Sequence, residues 1–197
     1  MAHSAVFHSV LGLRPPGLLL SDRLRRAGHV VVAPDLFGGE AAPDLDHGFR
    51  LLERVGRPTV MQRAQRAMDG MPADTALIGV SMGTGVVAGV WSERPATAKV
   101  LLVHAAADVP GDARPGVRIQ LHAADPDLFT PPKRVASLTR TAQEVGAGLQ
   151  AFRYPGVGHF YTDPAVPDHD LTAAELTWRR TRKFLDEEQP GSPLNHR

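Results

Sequence analysis

The stretch that decides the fold is TALIGVSMGTGVVAGVW, residues 75–91. Residues 76–80 form an apolar run typical of a buried strand, and residues 82–92 are mostly small and apolar, which favours a helix packed closely on a sheet. Between them lies Gly-Val-Ser-Met-Gly, residues 79–83, a G-x-S-x-G pattern. The stretch therefore predicts a strand, a sharp turn with Ser81 at its apex, and a helix.

The glycines of this pattern have a steric reason. We expect a side chain at Gly79 or Gly83 to collide with the neighbouring strand or helix, because the turn is so tight. Ser81 would then have strained backbone angles, and its hydroxyl would project above the edge of the sheet. The first N–H groups of the following helix, beginning with Met82, would favour a developing negative charge. This context indicates that Ser81 is a nucleophile.

Two other interpretations of Ser81 compete with this one. Serine is a favoured N-cap residue, and that position needs no chemistry. A glycine-rich turn before a helix can also bind phosphate, but the pattern lacks the second glycine of G-x-G-x-x-G, and the chain has no G-K-[S/T] sequence. The strand–turn–helix context favours the nucleophile, with the N-cap as the main alternative.

Outward from this stretch, short apolar runs alternate with helical patterns. We predict strands over residues 5–8, 29–33, 76–80, 99–103, 117–122 and 149–154. Helices are predicted over residues 16–27, 58–69, 82–92, 132–145 and 172–187. This alternation predicts a compact α/β fold with a mostly parallel sheet of about six strands and helices on both faces. Right-handed crossovers place the carboxyl ends of the strands along one edge, where ligands bind.

The length of 197 residues indicates one domain. We expect a single domain over residues 1–188 and a flexible tail over residues 189–197. Residues 38–57 contain turn formers and a short apolar stretch at residues 49–52. An ordinary surface excursion is the expectation there, and a flap over the strand ends is the alternative.

Composition excludes several classes of function. A net charge of +1 gives no reason to expect nucleic acid or an anionic membrane as a partner. The absence of cysteine excludes disulfides, thiolate metal sites and a cysteine nucleophile. No stretch approaches 18 apolar residues, and the N-terminus lacks the features of a signal peptide. We therefore expect a cytoplasmic protein with no metal and no cofactor.

A serine nucleophile needs a base, and the base needs a group that orients it. In a sheet of this kind the chain order is serine, then an acid, then histidine, each after a successive strand. His159 follows the last predicted strand in a loop rich in glycine and proline, and it is the best candidate for the base. Asp125 and Asp127 both follow the preceding strand, and Asp108 is a third candidate for the acid.

A second oxyanion donor is expected from the loop after the first strand, residues 8–16. Gly12 would allow this loop to bend close to Ser81. The N–H of Val10 is the predicted donor, together with that of Met82.

These residues carry a resemblance to a known family. The segments are VFHSVLGLRP (6–15), GHVVVAPDLFGG (28–39), LIGVSMGTG (77–85), LHAADPD (121–127) and YPGVGHFYTDP (154–164). In this order and at this spacing, the chain from about residue 5 to 187 resembles the dienelactone hydrolase family of the α/β-hydrolase superfamily. The resemblance implies that Asp127 is the acid of a Ser81–Asp127–His159 triad.

Two departures from the family pattern affect the expected activity. The best-known members use a cysteine nucleophile restrained by a glutamate, whereas this chain has Ser81 and Ser9 at the corresponding positions. A dienelactone substrate is therefore not implied. The expected protein is a serine hydrolase that cleaves a carboxylic ester, lactone or thioester of a small molecule. The alternative is a non-catalytic relative that binds a small ligand or a partner.

Overall fold

A computed structural model describes residues 2–187, with the side chains of residues 15–19 left undescribed. The predicted flexible tail over 189–197 lies outside the described residues. The strands are β1 (His3–Phe7), β2 (Val30–Val32), β3 (Ala76–Val80), β4 (Lys99–Val103), β5 (Arg118–Asp125) and β6 (Gly148–Pro155). The helices are α1 (Pro15–Arg26), α2 (Leu45–Val55), α3 (Arg57–Ala67), α4 (Met82–Ser92), α5 (Pro132–Glu144) and α6 (Leu171–Asp186).

The six strands form one parallel sheet in the order β2-β1-β3-β4-β5-β6. Alternate side chains of each strand point to opposite faces, so each face has its own apolar layer. On one face, Val6, Ile78 and Leu101 pack with residues of α1 and α6. On the other face, Ala5, Phe7 and Leu77 pack with residues of α3, α4 and α5. The predicted α/β fold is confirmed.

The structure differs from the expectation over residues 38–57, where we expected a surface excursion. Residues 45–55 form the helix α2. Asp44 caps this helix by accepting a hydrogen bond from the His47 N–H, and Leu51 and Leu52 are buried beneath it. The turn formers on either side of this short amphipathic segment concealed its helical spacing in the sequence.

Membrane-spanning helices are absent from residues 2–187. Each helix there is too short or too polar to cross a bilayer.

Candidate active site

Ser81 lies on the sharp turn between β3 and α4. Its backbone angles are φ 50° and ψ −111°, a conformation that non-glycine residues rarely adopt. A Cβ at Gly79 would lie 2.6 Å from the Gly83 carbonyl oxygen. A Cβ at Gly83 would lie 2.1 Å from the carbonyl oxygen of Phe7, at the end of β1. Both glycines are therefore required by the close approach of strand and helix, as the sequence predicted.

The hydroxyl of Ser81 does not cap α4. Its side chain makes no capping hydrogen bond, and its Oγ lies 2.9 Å from Nε2 of His159. The backbone of the turn is held instead by the Ser81 N–H, which donates to the Val103 carbonyl at 2.8 Å. The N-cap interpretation therefore does not account for this serine.

His159 joins Ser81 to Asp127. Nδ1 of His159 lies 2.7 Å from Oδ2 of Asp127, whose side chain is 0% exposed. The other carboxylate oxygen of Asp127 accepts hydrogen bonds from the N–H groups of Phe129 at 2.7 Å and Thr130 at 3.2 Å. Burial by itself would raise the pKa of Asp127, but the hydrogen bonds and the charge of His159 outweigh it and lower the pKa. Asp127 is thus held as a carboxylate beside the imidazole.

The other two candidates for the acid lie in different surroundings. Asp125 pairs with Arg153 at 2.9 Å, and its side chain is 50% exposed. Asp108 pairs with Arg134 at 3.2 Å. Of the three aspartates, Asp127 is the one that contacts His159.

Aromatic rings surround the imidazole of His159. The ring centroids of Phe129 and Phe160 each lie 4.6 Å from it, and that of His104 lies 5.5 Å from it. His104 is fully buried, and its Nε2 contacts the hydroxyl of Thr162 at 2.7 Å. Burial, with the nearby His159, lowers the pKa of His104 well below its usual value, so this second histidine is neutral.

The loop between β1 and α1 lies against the start of α4. The Cβ position of Gly83 is within 2.9 Å of the His8 carbonyl oxygen, which places this loop beside Ser81. Gly12 has φ 89° and passes close to Glu40, a conformation that favours glycine. Val10 is buried in this loop, and Met82 is the first residue of α4, whose N–H has no partner within the helix. Their roles as oxyanion donors stay a prediction.

Sequence reasoning missed the contribution of α2. Gly48 of this helix packs on the loop that contains Val10, since a Cβ there would lie 2.7 Å from the Val10 carbonyl oxygen. Its neighbour Phe49 faces Phe129, with 6.3 Å between the ring centroids. The helix therefore contacts both the β1–α1 loop and the loop that carries Asp127. The signal for it was the apolar stretch at residues 49–52.

A cavity of about 230 Å³ lies beside the triad, between the sheet and helices α1 and α6. His8, Val103, His104, Phe160 and Trp178 contribute to its lining, and Ser81 does not. Within residues 2–187, no cluster of three or more histidine, aspartate or glutamate side chains is arranged to hold a metal ion.

Comparisons with known proteins place this geometry in context. The model of the dienelactone hydrolase family matches residues 5–189. No curated protein matches the sequence. A dienelactone hydrolase-like promiscuous phosphotriesterase from metagenomic libraries superposes with a TM-score of 0.76 at 17% identity, covering 94% of this chain and 85% of its own.

Two further solved structures share the architecture. An α/β hydrolase from a Medee basin deep-sea metagenome library has a TM-score of 0.66 at 11% identity, covering 94% of this chain and 86% of its own. A cold-adapted esterase from an Arctic intertidal metagenomic library has a TM-score of 0.58 at 19% identity, covering 90% and 83%. At these identities the likeness establishes the fold.

Proposed function

Because this chain belongs to the dienelactone hydrolase family, we propose that it is a serine hydrolase that cleaves a carboxylic ester, lactone or thioester of a small molecule. The observation that carries the proposal is the hydrogen-bonded chain from Ser81 through His159 to Asp127, with distances of 2.9 Å and 2.7 Å. A nucleophile, a base and an orienting acid in that order are the requirements of acyl transfer.

In the first step, Ser81 Oγ attacks the acyl carbon while His159 Nε2 accepts the hydroxyl proton. Asp127 holds the imidazole through Nδ1 and stabilises the imidazolium that forms. The tetrahedral intermediate collapses to an acyl-enzyme when His159 gives its proton to the departing alcohol or thiol. Water then attacks the acyl-enzyme by the same route, with His159 as base, and releases the carboxylic acid.

The oxyanion of each tetrahedral intermediate needs hydrogen-bond donors in place before reaction. We assign these roles to the N–H groups of Met82 and Val10. The first stands at the N-terminus of α4, where the helix dipole also favours negative charge. The second belongs to the loop that packs against the start of the same helix.

The proposal is tested with an activated phosphonate ester, which is attacked by a nucleophilic serine and stays attached. Mass spectrometry should locate the adduct on Ser81. The adduct should disappear in Ser81→Ala and form much more slowly in His159→Ala. A folded wild-type protein that stays unlabelled would refute the proposal.

A second candidate function is non-catalytic binding of a small ligand. It is favoured by the cavity of about 230 Å³, which Ser81 does not line, and by Nδ1 of His104, which is buried without a hydrogen-bond partner in the described part of the chain. A cavity of 150 Å³ is already large enough for benzene. Two results together would favour this candidate. The folded protein would not react with the phosphonate, and it would bind a small ligand whose affinity is lost when Ala174→Leu narrows the cavity.

A further inference from the structure

We propose that Phe49 and Phe129 form an aromatic rim that binds the alcohol portion of the ester, so that esters of apolar alcohols of aromatic size are the preferred substrates. This inference rests on the serine hydrolase function proposed above.

Phe129 connects the rim to the triad. Its ring lies 4.6 Å from the ring of His159, and its backbone N–H donates to Asp127 at 2.7 Å. The residue is nevertheless 42% exposed. Because the same carboxylate contacts His159 and holds the Phe129 backbone, Phe129 is anchored beside the atoms that react.

Phe49 extends the rim on the side of α2. It is 47% exposed and lies in a helix anchored by the buried Leu51 and Leu52. Its ring is tilted by 33° to that of Phe129 at a centroid distance of 6.3 Å. Both rings are half-exposed and sit on anchored backbones, so they present apolar surface. A bound apolar group would remove that surface from water and would be held more tightly.

The position of the rim indicates which half of the ester it contacts. Nε2 of His159 receives the proton of Ser81 and returns it to the leaving oxygen, so the alcohol must depart on the side of the imidazole. The carbonyl oxygen points instead towards Met82 and Val10 at the start of α4. Phe129 packs on the imidazole itself and is therefore next to the alcohol.

The experiment compares three esters on the purified full chain. Methyl acetate is the reference, benzyl acetate carries an aromatic alcohol, and methyl phenylacetate carries the same ring on the acyl side. We expect wild-type kcat/KM to be highest for benzyl acetate. Phe49→Ala should lower kcat/KM for benzyl acetate by about threefold to tenfold, the range set by aromatic contacts, and leave the two methyl esters nearly unchanged.

Phe49 is half-exposed, so its replacement should leave the fold intact, and Phe49→Leu should keep part of the preference. Val30→Ala is the matched control, since Val30 is 42% exposed and lies at the amino end of β2, away from the carboxyl edge of the sheet. It should leave kcat/KM unchanged for all three esters. A Phe49→Ala effect confined to methyl phenylacetate, or equal for all three esters, would overturn the rim as an alcohol site. The absence of any Ser81-dependent hydrolysis would refute the proposed function itself, and with it this inference.

Discussion

The Oγ of Ser81 and the Nε2 of His159 lie 2.9 Å apart, although 78 residues separate them in the chain. Ser81 follows β3 and His159 follows β6, and in the sheet β4 and β5 lie between these two strands. The loop after β6 must therefore fold back across two strands. Asp168 holds the loop in that position, because its carboxylate accepts a hydrogen bond from the Phe160 N–H at 3.0 Å. The same carboxylate packs closely on Gly158, where an added Cβ would lie only 2.5 Å from it.

Asp168 is accordingly expected to be a positioning residue for His159. Asp168→Ala removes the acceptor of the Phe160 N–H and the group that packs on Gly158, so the imidazole should move away from Ser81. We expect kcat to fall by about tenfold to a hundredfold, since displacements of the order of 1 Å have effects of this size. Steady-state kinetics per folded molecule measure the loss.

The control for this variant is Asp170→Ala, which removes the N-cap of α6 and its bond to the Ala173 N–H. It should cost about 1 kcal/mol of stability and leave kcat nearly unchanged. Asp168→Asn, which keeps an acceptor oxygen, should recover part of the activity. Equal kcat values for Asp168→Ala and Asp170→Ala would show that Asp168 acts on stability alone.

Replacing Asp127 by asparagine should affect kcat far more than replacing Asp125. Asp127→Asn keeps the size of the side chain but removes the charge that stabilises the imidazolium, and kcat should fall by about 10³- to 10⁴-fold. Asp125→Asn removes a half-exposed ion pair with Arg153 and should change kcat only slightly. The reverse ranking would show that the acid is wrongly assigned.

Much of this site could be predicted because its parts are local. Gly79, Ser81 and Gly83 specify a turn through sterics that act within five residues, and a parallel sheet brings the loops after its strands to one edge. His159 could be predicted from its place after the last strand. Asp125 and Asp127 could not be separated by the residues alone, because both follow β5 and only side-chain direction distinguishes them.

The remaining features depend on contacts between distant segments. The order of the strands, the packing of Gly48 on Val10 and the pairing of Phe49 with Phe129 leave no signal in the local sequence. The helical spacing of α2 was obscured because only three of its residues are buried. One is Gly48, and the other two, Leu51 and Leu52, are adjacent in the chain. The neutral state of His104 likewise follows from complete burial beside His159, which no local pattern reveals.

Two glycines of α4 should respond in opposite ways to alanine. In Gly83→Ala, the new Cβ would lie 2.1 Å from the Phe7 carbonyl oxygen, so β1 and α4 must separate. We expect unfolding free energy to fall by about 3 kcal/mol. In Gly85→Ala the new Cβ meets nothing within 4 Å, and helix propensity should raise stability by up to about 1 kcal/mol. Urea denaturation measures the free energy of unfolding of both variants. Similar losses of stability in the two would contradict the close packing of Gly83 on β1.

Side chains of β5 and β6 form a buried polar network that includes His122. Its Nε2 lies 2.8 Å from Oε1 of Gln120, which can only accept, so Nε2 carries the proton. Its Nδ1 lies 2.7 Å from the hydroxyl of Tyr154 and acts as acceptor. Burial, with a smaller effect of the Arg180 charge, lowers the pKa of His122 to about 3. The neutral imidazole therefore has both nitrogens satisfied.

The stability of the protein should consequently fall in mild acid. Between pH 6.5 and about 3, the unfolded chain binds a proton at His122 that the folded chain does not. The contribution of His122 to the free energy of unfolding is therefore complete above pH 6.5. Below that pH it declines by up to about 1.4 kcal/mol per pH unit. His104, whose pKa is also lowered by burial, acts in the same direction. In urea denaturation from pH 8 to pH 5, His122→Gln should show a shallower decline than the wild type, whatever its stability at pH 8. Parallel curves for the two proteins would mean that His122 takes up a proton in the folded state.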